Sequence, residues 1–198
     1  MTDGVPMTAQ KRCQSLRLPG DKDVWVFIIG ELMMFGAFFI TYIIYRVDNV
    51  ALYNESQQLL SSTLGTLNTL FLITSSWAVM LAVKSVKHNR HKKGQRQLLA
   101  AILFAIGFIV VKYFEYSEKL DAGYGLTTNE FFMFYYVFTM VHLAHVIGGG
   151  IILTVLWFNM RAGNYHSRRM RGLETGACYW HLVDLVWIVM FPLLYLLR

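Results

Sequence analysis

An all-α membrane protein, a bundle of five transmembrane helices, is the fold class this sequence predicts. Three observations predict it: composition, five long apolar runs, and basic residues gathered in alternate connections. Hydrophobic residues make up 56% of the 198 and charged residues 15%, whereas soluble domains carry about 25% charged residues. A span needs ~20 apolar residues at ~1.5 Å rise each. Five runs qualify: Val24 to Tyr45, Thr63 to Val83, Leu98 to Tyr116, Phe131 to Trp157 and Gly176 to Leu197. Residues 1–23 read as a tail and 24–198 as the five-helix domain, with no repeat, low-complexity segment or second domain.

The net charge of +6 does not point to nucleic acid, because the basic residues follow membrane topology. Lys11, Arg12, Arg17 and Lys22 lie in the tail, six more from Lys84 to Arg96, and Arg161, Arg168, Arg169 and Arg171 in the fourth connection. The opposite connections hold only Arg46 and Lys119 among Asp48, Glu55, Glu118, Asp121 and Glu130. The positive-inside rule therefore predicts a cytoplasmic amino terminus and a carboxyl terminus outside.

Pro19-Gly20-Asp21 reads as a turn with a helix cap that starts the first span. That span follows a basic tail but is ~22 residues long, contains Glu31 and ends in Tyr45-Arg46 without a small-residue cleavage site, so it is expected to remain in the mature protein. Trp25 and Trp157 inside, and Tyr42, Tyr45 and Tyr195 outside, are expected at the membrane interfaces. The connection from Lys84 to Arg96 contains no acidic residue. It serves as a topology signal and could also attract anionic headgroups. Ala78/Ala82 and Ala144/Gly148, with Gly149 and Gly150 beside them, suggest close helix approach. Cys13 and Cys178 share no metal-ligand spacing and fall on the reducing side, which argues against a disulfide or thiolate site.

The ionisable residues inside the runs are the candidates for function: Glu31, Lys112, Glu115, His142, His145, His181 and Asp184. Such groups normally face protein interior and pair there. Counting from the span ends, Glu31, His181 and Asp184 lie ~8–12 Å deep and His145 and His142 ~18–22 Å deep, so the first three share a layer. His181/Asp184 and His142/His145, each spaced i, i+3, form polar stripes expected to turn inward. Lys112 and Glu115 fall in the last turn of the third run, where the lysine would extend its amine to water. Two-histidine haem ligation needs imidazoles at matching depth, which the counting disfavours without excluding it, and the carboxylate-histidine pattern of a four-helix metal site is poorly matched. A proton path would use the same residue types in a ladder, but no continuous chain leads from Glu31 to the outer side, so the chemistry alone favours a satisfied polar network that fixes helix register.

These residues carry a resemblance. Glu31-Leu32-Met33-Met34-Phe35-Gly36-Ala37-Phe38-Phe39, Glu115-Tyr116, and His142-Leu143-Ala144-His145-Val146-Ile147-Gly148-Gly149 each resemble motifs of subunit III of the haem-copper respiratory oxidases. So does Glu174 followed by Tyr179-Trp180-His181-Leu182-Val183-Asp184-Leu185-Val186-Trp187; Met140 departs from the pattern. The longest members have seven helices, and this chain resembles the short five-helix form. Pro19 to Phe27 and Leu67 to Ser76 look most like the branch associated with nitric oxide reductase.

The resemblance implies an accessory subunit with no cofactor of its own, haem and metal belonging to a subunit I-like catalytic partner in a bacterial inner membrane. It implies that Glu31 is a proton-entry candidate; that His142, His145, His181, Asp184 and Glu115 form a buried polar network; and that Glu174, Arg171 and His181 are candidates for binding phospholipid. The rivals are an independent membrane redox, metal or proton-conducting protein, and an assembly factor.

Overall fold

The computed structural model describes residues 22–163, 165 and 170–197, and they are helical almost throughout. The long helices are α1 (Lys22–Asp48), α3 (Ser62–Lys87), α4 (His91–Asp121), α5 (Glu130–Arg161) and α6 (Arg171–Phe191). A short α2 (Val50–Gln58) follows α1, and a π-helical turn, Pro192–Leu196, continues α6. All five long elements are apolar and long enough to cross a membrane. The Pro19-Gly20-Asp21 turn, Cys13, Arg168 and Arg169 lie outside the described residues.

Successive long helices alternate in direction, which divides the bundle into a basic end and an acidic end. The basic end gathers Lys84, Lys87, Lys92, Lys93, Arg96, Arg161 and Arg171; the acidic end gathers Asp48, Glu118, Asp121 and Glu130. Helix α6 packs against α1, α3 and α5. Half of its apolar stretch is buried, against 17% for α1, so α6 is the hub and α1 the outermost member.

Lipid tails are as apolar as leucine, so close approach rather than escape from water holds such helices together. The tightest approaches lie between α5 and α6. A Cβ on Gly149 would stand 2.7 Å from Trp180 Cε3, and one on Gly176 2.5 Å from Leu156 Cδ1. Ala144 is exposed and Gly148 meets only the Tyr179 hydroxyl at 3.6 Å, so the expected Ala144/Gly148 pair is one residue off the contact face. Ala78 and Ala82 are buried as expected. Between α1 and α5 the contact is aromatic: Phe138 meets Phe38, Phe39 and Tyr42 at 5.8–5.9 Å between centroids.

Three further expectations about elements are corrected. The helices outrun the apolar runs, because α4 starts at His91 and ends at Asp121; only His88, Asn89 and Arg90 separate α3 from α4. The basic stretch is therefore two helix ends and a tight turn. Tyr42 and Tyr195 are fully buried rather than interfacial. Tyr42 donates its hydroxyl to Leu193 O at 3.3 Å, and Gln57 Nε2 donates to Leu193 O and Leu194 O at 3.2 Å each. Arg46 Nη2 reaches Leu197 O at 2.7 Å, so side chains from α1 and α2 satisfy carbonyls of the π turn and of the residue that follows it.

Candidate functional site

Two groups of buried polar side chains stand out. The first lies toward the acidic end. Lys112, fully buried on α4, donates from Nζ to Glu115 Oε2 at 3.0 Å, Tyr195 OH at 2.9 Å and Tyr135 OH at 3.3 Å. Tyr135 and Tyr195 each donate a hydroxyl hydrogen bond to Glu115 Oε1, at 2.9 and 2.5 Å. An ammonium has three donors, and here each has an acceptor. Four rings, Tyr116, Tyr135, Trp187 and Tyr195, place their centroids 5.0–5.5 Å from Nζ, faces that favour a cation. The expectation that Lys112 reaches water is thus wrong: α4 runs two more turns beyond it, so its stem points into the bundle.

The second group lies where α1, α5 and α6 meet. Glu31 Oε2 stands 3.1 Å from His145 Nε2, yet the alignment is not that of a hydrogen bond. His145 Nδ1 donates to Val141 O at 2.8 Å. With Nδ1 engaged by that carbonyl, Nε2 is the ring atom left to face the carboxylate. One turn away, His142 is fully buried, and neither ring nitrogen has a partner. Its ring rests on Trp187 and Phe108, at 5.2 and 5.8 Å between centroids. Glu31, His142 and His145 line one cavity of about 10 Å³, closed by Phe35, Val183 and Val186. That volume is near the lower limit for a single water.

The expected layering is overturned here. Glu31 meets His145, not His181 or Asp184, because depth counting assumes helices that end in one plane. Helix α5 has 32 residues against 27 in α1, an overhang of about 7.5 Å at the helical rise. The stripes also divide. His142 and Asp184 turn inward as expected, while His181 sits on the surface of α6, where Nδ1 meets Ser76 Oγ on α3 at 2.5 Å. Asp184, buried beside the same serine, keeps Oδ1 unpartnered. At the basic end Arg171 is exposed, and Glu174 faces Lys87 at 3.6 Å.

Sequence reasoning missed Tyr135, Tyr195, Ser76 and Asn68. Asn68 is fully buried with both amide atoms unpartnered. A lysine and a glutamate at i, i+3 in an apolar helix were the signal for the tyrosines, since two such groups inside a bundle call for further donors and acceptors. No group of three or more His, Cys, Asp or Glu stands ready to hold a metal among the described residues.

Residues 20–197 match the family described as cytochrome c oxidase subunit III. The chain belongs to that family. A subunit III relative, cytochrome c oxidase subunit 3 of Thermostichus vulcanus, is 36% identical over 175 residues, 87% of this chain and 84% of its own length. The Synechocystis protein of the same name is 35% identical over 175 residues, 88% and 74% of the two chains. The haem-copper oxidase subunit I+III of Aeropyrum pernix is 34% identical over 179 residues, 87% of this chain and 22% of that protein. The chain therefore spans about a fifth of that longer relative. Subunit III membership agrees with the multi-pass, all-helical fold.

Proposed function

We propose that this chain is a non-catalytic accessory subunit of a haem-copper respiratory complex, packed beside a subunit I-like partner that holds the haem and metal. The observation that carries the reading is the relative whose name joins subunits I and III, since fusion of two chains reports that they act side by side. In this reading the basic end faces the bacterial cytoplasm, as the positive-inside rule requires, and the complex resides in the inner membrane. The chain supplies no cofactor. The terminal acceptor we assign is nitric oxide, with oxygen the alternative, on the Pro19 to Phe27 and Leu67 to Ser76 resemblance alone.

The chemistry offered to the partner is proton supply. Glu31 on the outermost helix faces His145 of α5 at 3.1 Å, beside a cavity that adds His142, an arrangement that suits a group handing protons sideways. Exposed Arg171 and His181, with Glu174, are the proposed contacts for phospholipid.

Extraction in mild detergent tests the assembly. The expected result is a colourless chain that leaves the membrane with a haem-bearing partner, consuming nitric oxide. A Soret band in the isolated chain would establish the independent redox reading, and a mature complex lacking the chain would establish an assembly factor. Glu31→Gln is expected to slow turnover severalfold or hasten inactivation with assembly intact; full turnover over many cycles removes the proton role.

A further inference from the structure

The turn between α3 and α4 builds a basic cavity that the proposed function does not use. It is an open hollow of about 310 Å³, lined by Lys84, Ser85 and His88 from α3, Arg90 in the turn, and Lys93 and Gln97 from α4. Its formation follows from the sequence. Asn89 adopts φ 56°, a left-handed conformation that asparagine tolerates, so the chain reverses within three residues. The N–H groups of His88, Asn89 and Arg90 take up the carbonyls of Lys84, Ser85 and Val86, which neutralises the negative end of α3. Helix α4 begins without a side-chain cap, so the positive end of its dipole is unopposed.

The floor is polar and fixed. Buried Ser85 donates to Gln97 Oε1 at 2.6 Å, and His88 Nδ1 donates to Lys84 O at 2.8 Å. No carboxylate lines the cavity among the described residues, and Glu174 is engaged by Lys87 instead. Three permanent cations around one hollow call for an anion with several oxygens, a phosphate group.

The surroundings decide which phosphate. Leu81 closes the cavity on its membrane side. From there the exposed residues Met80, Trp77, Ile73 and Leu70 recur at three- and four-residue spacing down α3, on the stripe that ends in Lys84 and His88. Leu103, Ile106 and Val110 are likewise exposed on α4. From Leu70 to Lys84 the stripe runs ~21 Å, longer than the ~15 Å of one leaflet's hydrocarbon. A free phosphate has no use for it; an acyl chain does. We infer that the α3–α4 turn binds the headgroup phosphate of one anionic phospholipid, its chains lying along the Leu70–Met80 stripe. This site is distinct from the one proposed at Arg171, Glu174 and His181.

The test uses the full-length chain, with whatever subunits accompany it, exchanged into detergent carrying dioleoylphosphatidylglycerol, dioleoylphosphatidylcholine or inorganic phosphate, with retained lipid counted by native mass spectrometry. One phosphatidylglycerol is expected to stay in preference to phosphatidylcholine and to resist millimolar phosphate. Lys84→Gln/Lys93→Gln should weaken it about 30-fold, at roughly fivefold per surface charge, while Lys92→Gln/Arg96→Gln, equal in charge but off the cavity, changes it less than threefold. Should the first double variant misfold, Lys93→Gln alone should weaken it about fivefold. Equal loss in both double variants, equal retention of phosphatidylcholine, or displacement by phosphate would each overturn the assignment.

Discussion

Two clusters of the same residue classes, a few turns apart in one bundle, are built on opposite principles. Around Lys112 and Glu115 every donor finds an acceptor and four aromatic rings seal the group. Around Glu31 and His145 the contact is misaligned, a small cavity adjoins it, and neighbouring His142 has no partner at all. Trp187 touches both, tilted against His142 and facing Lys112. Burial alone therefore does not mark a working group. A saturated network fixes α4 to α5 and to the chain's last turn, whereas an unsaturated one keeps proton positions open, at a stability cost the first helps to offset.

The comparison breaks most visibly at the saturated cluster. Lys112→Met leaves the Glu115 carboxylate buried without its cation and is expected to cost about 3–5 kcal/mol, read as early unfolding in a detergent melt or loss of the chain from the membrane. Replacing both partners, Lys112→Met/Glu115→Leu, should recover part of that loss; a double variant worse than the single would show that the pair is not the unit. Tyr195→Phe removes a hydroxyl that both accepts and donates there, and about 1–3 kcal/mol should go with it.

At the unsaturated cluster the sign reverses. His142→Leu removes a buried polar ring that has no bond to lose, so the melt should hold or rise by up to about 1 kcal/mol while turnover of the complex falls. A large drop in stability would mean that the ring is bonded after all. The smallest effect lies outside the membrane, at α2. Burial, with Glu130 nearby, pushes the Tyr53 hydroxyl up to about 12. The unfolded chain ionises near 10, so the stability this group contributes is complete below pH 10 and lost between about 10 and 12. Tyr53→Phe should flatten that alkaline slope and change little at neutral pH, because the hydroxyl has no partner.

Much of this bundle is legible in the sequence, because a bilayer imposes length and apolarity on whatever crosses it. All five spans and the alternation of basic and acidic connections could be read directly. Helix ends could not, since hydrogen bonding continues past the last apolar residue; that is why Lys112 looked terminal when α4 runs on to Asp121. Helix α2, short and polar, carries no such signal. Register between helices was the other blind spot. The i, i+3 spacing put His142 and His145 near one face, but only packing decided that one ring meets Trp187 and the other Glu31. Likewise the glycine-rich run announced a close approach without saying that Gly149, rather than Gly148, makes it.

The strap across the acidic end has a mechanical corollary. Tyr42, Gln57 and Arg46 knot the outermost helix and its short successor to the carbonyls of the chain's closing turn. Elsewhere α1 leaves most of its surface uncovered and is held by a narrow apolar seam, Ile28 and Phe35 against Leu182 and Val186. A neighbouring protein leaning on α1 would load that narrow seam directly, and the 3.1 Å approach of Glu31 to His145 lies within it, so pressure at a subunit boundary would be felt first as a change in that spacing.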